Sequence, residues 1–272
     1  MKKLIIWDFD GVCRYVFSHM KKIILKIFFL MPLINGCSSV VIPPEFVYKE
    51  IKTDAFSLAS WQKITNPQDT YKIYIEGDGY AYNEYGRATQ DPTPRGTLVR
   101  ELAFTDKNAN VIYLARPCQY IKSSICSQRH WTTARFSPEV INAEYQAVKE
   151  ITGNSPVVLV GFSGGAQVVG LISSAKQGLN VKKIITIAGN LDHQSWIEYH
   201  NLLPLNESLN LADYYTNFIK IPQIHYVGKK DDIIPPHLIE KFIKNNAPVI
   251  IVPKASHNSG WLDIFLKVQS EI

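Results

Sequence analysis

No apolar run in this chain is long enough to cross a bilayer as a helix. The longest candidate, Ile27 to Ile34, falls well short of the ~20 residues a spanning helix needs. Cysteine is scarce, with four in 272 residues, and their spacing forms no zinc motif. Charge of one sign is also lacking over most of the length. The formal net charge is +5, but residues 1–36 carry six Lys/Arg against two Asp, which leaves 23 basic and 22 acidic residues for the rest. So balanced a body gives no electrostatic reason to bind nucleic acid. Internal repeats and low-complexity tracts are missing, which excludes solenoids and arrays. The turn Gly161-Phe162-Ser163-Gly164-Gly165 lacks the G-x-G-x-x-G spacing of a dinucleotide site. What is present is 46% apolar residues, enough for one well-buried domain.

The N-terminal region reads as an address. Lys21, Lys22 and Lys26 form a basic start before the short apolar stretch, the layout of a secretory signal peptide over residues 20–37. The ending Leu33-Ile34-Asn35-Gly36-Cys37 resembles a bacterial lipobox, with Asn35 departing from the small residue usual there. The resemblance implies cleavage before Cys37, a lipid on Cys37 and an envelope location facing the periplasm. Ordinary signal cleavage and an uncleaved anchor are the alternatives. Residues 38–50, with Ser38-Ser39 and Pro43-Pro44, read as a tether, and 51–272 as the domain. Residues 1–19 do not fit an export signal, so Met20 is the expected initiator; a fragment of a neighbouring reading frame is the alternative. Leu4 to Gly11 resembles the first motif of haloacid-dehalogenase-type phosphatases, but no companion motifs follow it. Cys118 and Cys126, eight apart in a polar loop, are expected to pair in an oxidising compartment; two unrelated thiols are the alternative.

From about residue 70 the chain alternates strand-like and helix-like runs. Strands are expected at 71–76, 111–114, 156–160, 181–188, 221–227 and 248–252. Helices are expected at 97–104, from Ser137-Pro138-Glu139 to about Thr152, at 165–177 and at 261–268. Residues 45–65 are expected to supply edge strands. This order predicts an α/β domain with a mostly parallel sheet and helices on both faces. Residues 190–220, long and aromatic, are expected to cover part of a site.

Gly161 to Gly165 matches G-x-S-x-G between a strand and a helix, the context of a nucleophile elbow that displays Ser163 above the sheet. An acid is then expected after a later strand. The run Gly228-Lys229-Lys230-Asp231-Asp232-Ile233-Ile234-Pro235 selects Asp231 by register, with Asp232 the near competitor and Asp192 a distant one. A base is expected after the last strand, where His257 lies. His130, His193, His200, His225 and His237 lack that position, and His225 falls within a strand. An oxyanion hole needs two N–H donors: Gly164 is one, and the loop Glu76-Gly77-Asp78-Gly79 supplies the other from Asp78, with Gly79 second. The Asp78 carboxylate beside an oxyanion must then point away or pair, with Arg87 or Arg116 as partner.

These motifs resemble the α/β-hydrolase superfamily. The strings Asp91-Pro92-Thr93-Pro94-Arg95, Leu114 to Tyr120, Arg135-Phe136-Ser137 and Ala188 to His193 look like exported bacterial hydrolases. The resemblance covers about residues 70–265. It implies little or no cap domain, a triad of Ser163, Asp231 and His257, and no metal or cofactor. Arg95, Arg116, Gln119, Tyr120, Asn190 and His193 either line the pocket or are structural hydrogen-bonding residues. An esterase acting on a small-molecule or lipid-like ester is the leading expectation. A peptidase or amidase and a non-catalytic envelope protein of the same fold are the others.

Overall fold

The computed structural model describes residues 41–271. The leader, the lipobox and Cys37 lie outside the described residues.

Eight strands form one sheet: β1 (Val47–Lys52), β2 (Ser57–Ile64), β3 (Tyr71–Ile75), β4 (Asn110–Leu114), β5 (Pro156–Phe162), β6 (Asn180–Ile187), β7 (Gln223–Gly228) and β8 (Val249–Val252). Their order is β1-β2-β4-β3-β5-β6-β7-β8. β1 and β2 pair antiparallel, as do β2 and β4; every other pair is parallel. Among the described residues seven α-helices connect or flank them: α1 (Leu98–Thr105), α2 (Pro138–Thr152), α3 (Gly164–Ser174), α4 (His193–His200), α5 (Tyr215–Phe218), α6 (Pro236–Ile243) and α7 (Phe265–Ser270).

The central strands are apolar on both sides because both faces are covered. Val157 to Leu159 of β5 are fully buried, as a doubly wound sheet requires. One core joins β3, β5, α2, α3 and α6 through residues such as Leu159, Val168, Val148 and Ile239. The other joins the opposite face to α1 and α7 through Val158, Leu102, Trp261 and Val268. Lys72, buried on β3, donates to the carbonyls of Val268 and Gln269, both at 2.8 Å, and so fastens α7 to the sheet.

Three expectations shift. The tether assigned to 38–50 is too long, because Val47 to Glu50 pair with Ala59 to Gln62 and Phe46 is buried. An edge strand held by backbone bonds shows little burial periodicity, so its sequence carries no clear strand signal. Ser137 makes no side-chain capping bond; Pro138 at the first turn opens α2. The closing helix splits into a 3-10 turn, Leu262–Ile264, and α7.

The register places the carboxyl ends of the parallel strands level. Ile75 pairs with Gly161, Phe162 with Ile187, Ile187 with Tyr226, and Gly228 with Val252. The loops that follow β3, β5, β7 and β8 therefore share one edge of the sheet, the usual position for a site in such folds.

Candidate active site

Ser163 stands between β5 and α3 with φ 50° and ψ −120°, a left-handed conformation that costs a non-glycine residue energy. Its N–H donates to Ile187 O at 3.0 Å, and its carbonyl accepts from Asn190 N at 3.0 Å, so the neighbouring β6 loop holds the turn. The flanking glycines are required by space. A Cβ on Gly161 would lie 2.5 Å from Gly165 O, and one on Gly165 the same distance from Ile75 O. These are backbone atoms and cannot yield cheaply.

The hydroxyl faces an imidazole. Ser163 Oγ is 2.9 Å from His257 Nε2, and His257 Nδ1 is 3.0 Å from Asp231 Oδ2. Asp231 is buried, and its other oxygen accepts from the N–H groups of Ile233 (2.9 Å) and Ile234 (2.8 Å). That loop geometry decides between the two neighbouring aspartates: Asp231 turns in to the ring, and Asp232 is exposed. Asp192 is occupied elsewhere, capping α4 through Gln194 N and Ser195 N. The indole of Trp261 donates to His257 O at 3.0 Å and steadies the loop. A hydroxyl so placed can pass its proton to Nε2, provided Nδ1–H donates to the carboxylate.

On the other side of Ser163 lies the loop after β3. A Cβ on Gly77 would sit 3.3 Å from Ser163 Cβ, and one on Gly164 would collide with Asp78 Oδ1 at 2.2 Å, so the two loops are in contact. Gly77 N–H donates to Glu76 Oε1 at 2.9 Å, and Gly77 O accepts from Gln119 Nε2 at 3.0 Å. Among the described residues, neither the Asp78 nor the Gly164 backbone N–H has a hydrogen-bond acceptor. Gly79 has φ +65°, and a Cβ there would meet Pro92 O at 2.0 Å, so only glycine fits.

The Asp78 carboxylate is paired. Arg135 Nη1 reaches Oδ2 at 2.6 Å and Arg116 Nη1 lies 3.5 Å from Oδ1. Arg116 was expected in this role; Arg87 is exposed instead and its backbone N–H bonds Asn83. Arg135 was not foreseen, because nothing local links positions 57 residues apart. Beneath this group Glu144 is fully buried with Oε1 3.3 Å from Arg116 Nε, and burial pushes its pKa up to about 8. Burial also raises Glu76, against the bonds from Tyr113 and Gly77.

The remaining candidates divide. Arg116 and Gln119 are buried hydrogen-bonding residues of the site wall. Tyr120 donates its N–H to Thr93 Oγ1, Arg95 stacks on the Tyr80 ring, and His193 stacks on Phe136. His225 is buried, its pKa lowered to about 3 by burial, and it bonds Thr186 and Gln223 within the sheet. Cys118 and Cys126 form a disulfide with Cα atoms 5.7 Å apart. Among the described residues no group of three His, Cys, Asp or Glu could hold a metal ion.

Comparison with known proteins agrees with this arrangement at the level of family and fold. The profile of the serine hydrolase (FSH1) family matches residues 106–257, more than half of the chain. Est1E from Butyrivibrio proteoclasticus superposes with a TM-score of 0.58 at 14% identity, over 82% of this chain and 96% of that one. The Pyrococcus furiosus esterase gives 0.57 at 16% identity, over 83% and 88%. A lidless α/β serine hydrolase of Xanthomonas campestris gives 0.52 at 13%, over 85% and 93%. At such identities the likeness is one of fold, the α/β-hydrolase fold. No curated protein matches the sequence.

Proposed function

The chain belongs to the serine hydrolase (FSH1) family, and we propose that it cleaves an ester-type bond through an acyl-enzyme on Ser163. The observation that carries this reading is the unbroken line of contacts from Ser163 Oγ to His257 Nε2 (2.9 Å) and from His257 Nδ1 to Asp231 (3.0 Å). In this mechanism Ser163 Oγ attacks the ester carbonyl while His257 takes its proton. Asp231 holds the ring tautomer and balances the imidazolium. The tetrahedral oxyanion is met by the N–H groups of Gly164 and Asp78, at the positive end of α3. His257 then protonates the departing alcohol. Water, deprotonated by the same ring, releases the acid and restores Ser163. Every step uses groups of this chain and no cofactor.

The substrate in this reading is a small-molecule or lipid-like ester. The envelope location and the lipid at Cys37 belong to the same proposal. They are supported by the pattern of residues 20–37 and by the disulfide, a bond typical of oxidising compartments.

Labelling with a fluorophosphonate tests the assignment. The expected result is one adduct, mapped to Ser163, with label and p-nitrophenyl butyrate hydrolysis both lost in Ser163→Ala, the latter by at least ~10³-fold. A label on another residue, or hydrolysis that survives the substitution, would overturn it.

A further inference from the structure

We infer that Gln119 is a positioning residue for the oxyanion donor: its side-chain amide holds the Gly77–Asp78 peptide in the orientation that aims the Asp78 N–H at the reacting carbonyl. The inference rests on the hydrolase reading above and adds a residue to it.

The chain has no cis peptide bond among the described residues. In a planar trans peptide the carbonyl and the following N–H point in opposite directions. Whatever fixes Gly77 O therefore fixes the direction of Asp78 N–H. Next to a glycine such a unit rotates easily. A half-turn would present the carbonyl oxygen, an acceptor, where the reaction needs a donor. Gln119 Nε2 donates to Gly77 O at 3.0 Å and opposes that rotation.

The surroundings leave Gln119 only one way to sit. The side chain is 1% exposed. Its Oε1 accepts from Arg116 N at 3.0 Å, so the amide must turn its NH₂ toward Gly77; the flipped amide would set donor against donor and acceptor against acceptor. The backbone of Gln119 is held as well, since its N–H donates to Arg116 O and its carbonyl accepts from Ile121 N. On either side Cys118 (φ 70°) and Tyr120 (φ 62°) bend the chain, and Cys118 is tied to Cys126. A Cβ on Gly79 would lie 2.7 Å from Nε2, so the loop closes directly on the amide. The partners of the loop hold the groups on either side of the Asp78 N–H. Gly77 N–H goes to Glu76, Gly77 O to Gln119, the Asp78 carboxylate to Arg135 and Arg116, and Tyr80 N–H to Pro92 O. The N–H groups of Asp78 and Gly79 have no acceptor among the described residues, and the peptide that Gln119 holds is the one that directs the Asp78 N–H.

Gln119→Glu, assayed at alkaline pH where the introduced carboxyl is ionised, is the sharpest test, because it keeps the shape and the acceptor for Arg116 N and removes the donor to Gly77 O. Gln119→Met removes the donor without adding a buried charge, and carries the test if the glutamate variant fails to fold. Rates are measured with p-nitrophenyl butyrate and divided by the active sites titrated with a fluorophosphonate, so a loss of folded protein does not count. The expected result is kcat lowered by about 10²-fold, the scale of one lost oxyanion donor, with KM changed less than about threefold. A per-site kcat within about threefold of the unsubstituted chain would overturn the role of Gln119 alone. Failure of the unsubstituted chain to be labelled at Ser163 would overturn the hydrolase reading, and this inference with it.

Discussion

In the proposed reaction, two residues on adjacent loops at one side of Ser163 handle the proton: His257 and Asp231 follow neighbouring strands and meet at 3.0 Å. On the other side, the Gly77–Asp78 loop is held at three points: Gly77 N–H by Glu76, Gly77 O by Gln119, and the Asp78 carboxylate by Arg116 and Arg135, with Glu144 behind them. The two tasks differ in kind. A proton must move, and the groups that move it need freedom to exchange hydrogen bonds. An oxyanion must be met by dipoles that do not move, because stabilisation is greatest when no reorganisation is needed at the moment of reaction. In this reading the proton side is held within the loops after β7 and β8, and the oxyanion side is cross-linked from more distant parts of the chain.

Substitutions on each side sharpen that contrast. The largest effect beyond the nucleophile is expected from Asp231→Asn, which leaves the geometry and frees the wrong His257 tautomer. It should cost about 10⁴-fold in kcat at neutral pH with KM little changed, read from initial rates. A loss under tenfold would mean the ring is oriented by something else. Arg135→Met on the opposite side should act on stability and rate together. Removing the closer partner of Asp78 is expected to cost about 2 kcal/mol, a fall of roughly 5 °C in melting temperature, with kcat down about tenfold. An unchanged rate would show that the Asp78 carboxylate does not set the loop.

The smallest effect is a pH dependence. Glu144 in the folded chain has a pKa raised from 4.5 to about 8 by burial, opposed by Arg116. Between those two values the folded state keeps a proton that the unfolded state has given up. Its contribution to stability therefore falls as pH rises from about 4.5 to 8. Glu144→Gln removes this dependence. Its melting temperature relative to the unsubstituted chain should rise by a few degrees between pH 5 and 8.5. A constant difference would mean that Glu144 stays ionised against Arg116 throughout.

The same contrast explains what could be read in advance. The elbow is legible because a strained strand-to-helix turn demands glycines within two residues of Ser163. Asp231 and His257 are legible because each follows its strand at a short, regular distance, and the parallel order fixes which loops meet. The Asp78 side is not legible in this way. Asp78 and Arg135 are 57 residues apart and Gln119 and Gly77 are 42 apart, with no periodicity to link them. Arg116 was reached through charge balance alone, and the same argument pointed equally to Arg87, which lies elsewhere. Glu76 and Glu144 gave no signal of burial, since a carboxylate in a sequence reads as surface. At the sheet edge, Val47 to Glu50 fall within both the expected tether and the expected edge strands of 45–65, because backbone pairing leaves no apolar pattern to separate the two.

In the proposed reaction Ser163 stands between the His257 base and a fixed pair of N–H donors. The most direct measurement is a crystal structure of the phosphonylated protein, in which the phosphoryl oxygen stands in for the oxyanion. The account predicts that oxygen within about 3 Å of both Gly164 N and Asp78 N, with Gln119 still on Gly77 O. An oxygen turned to solvent, with neither amide in reach, would contradict it.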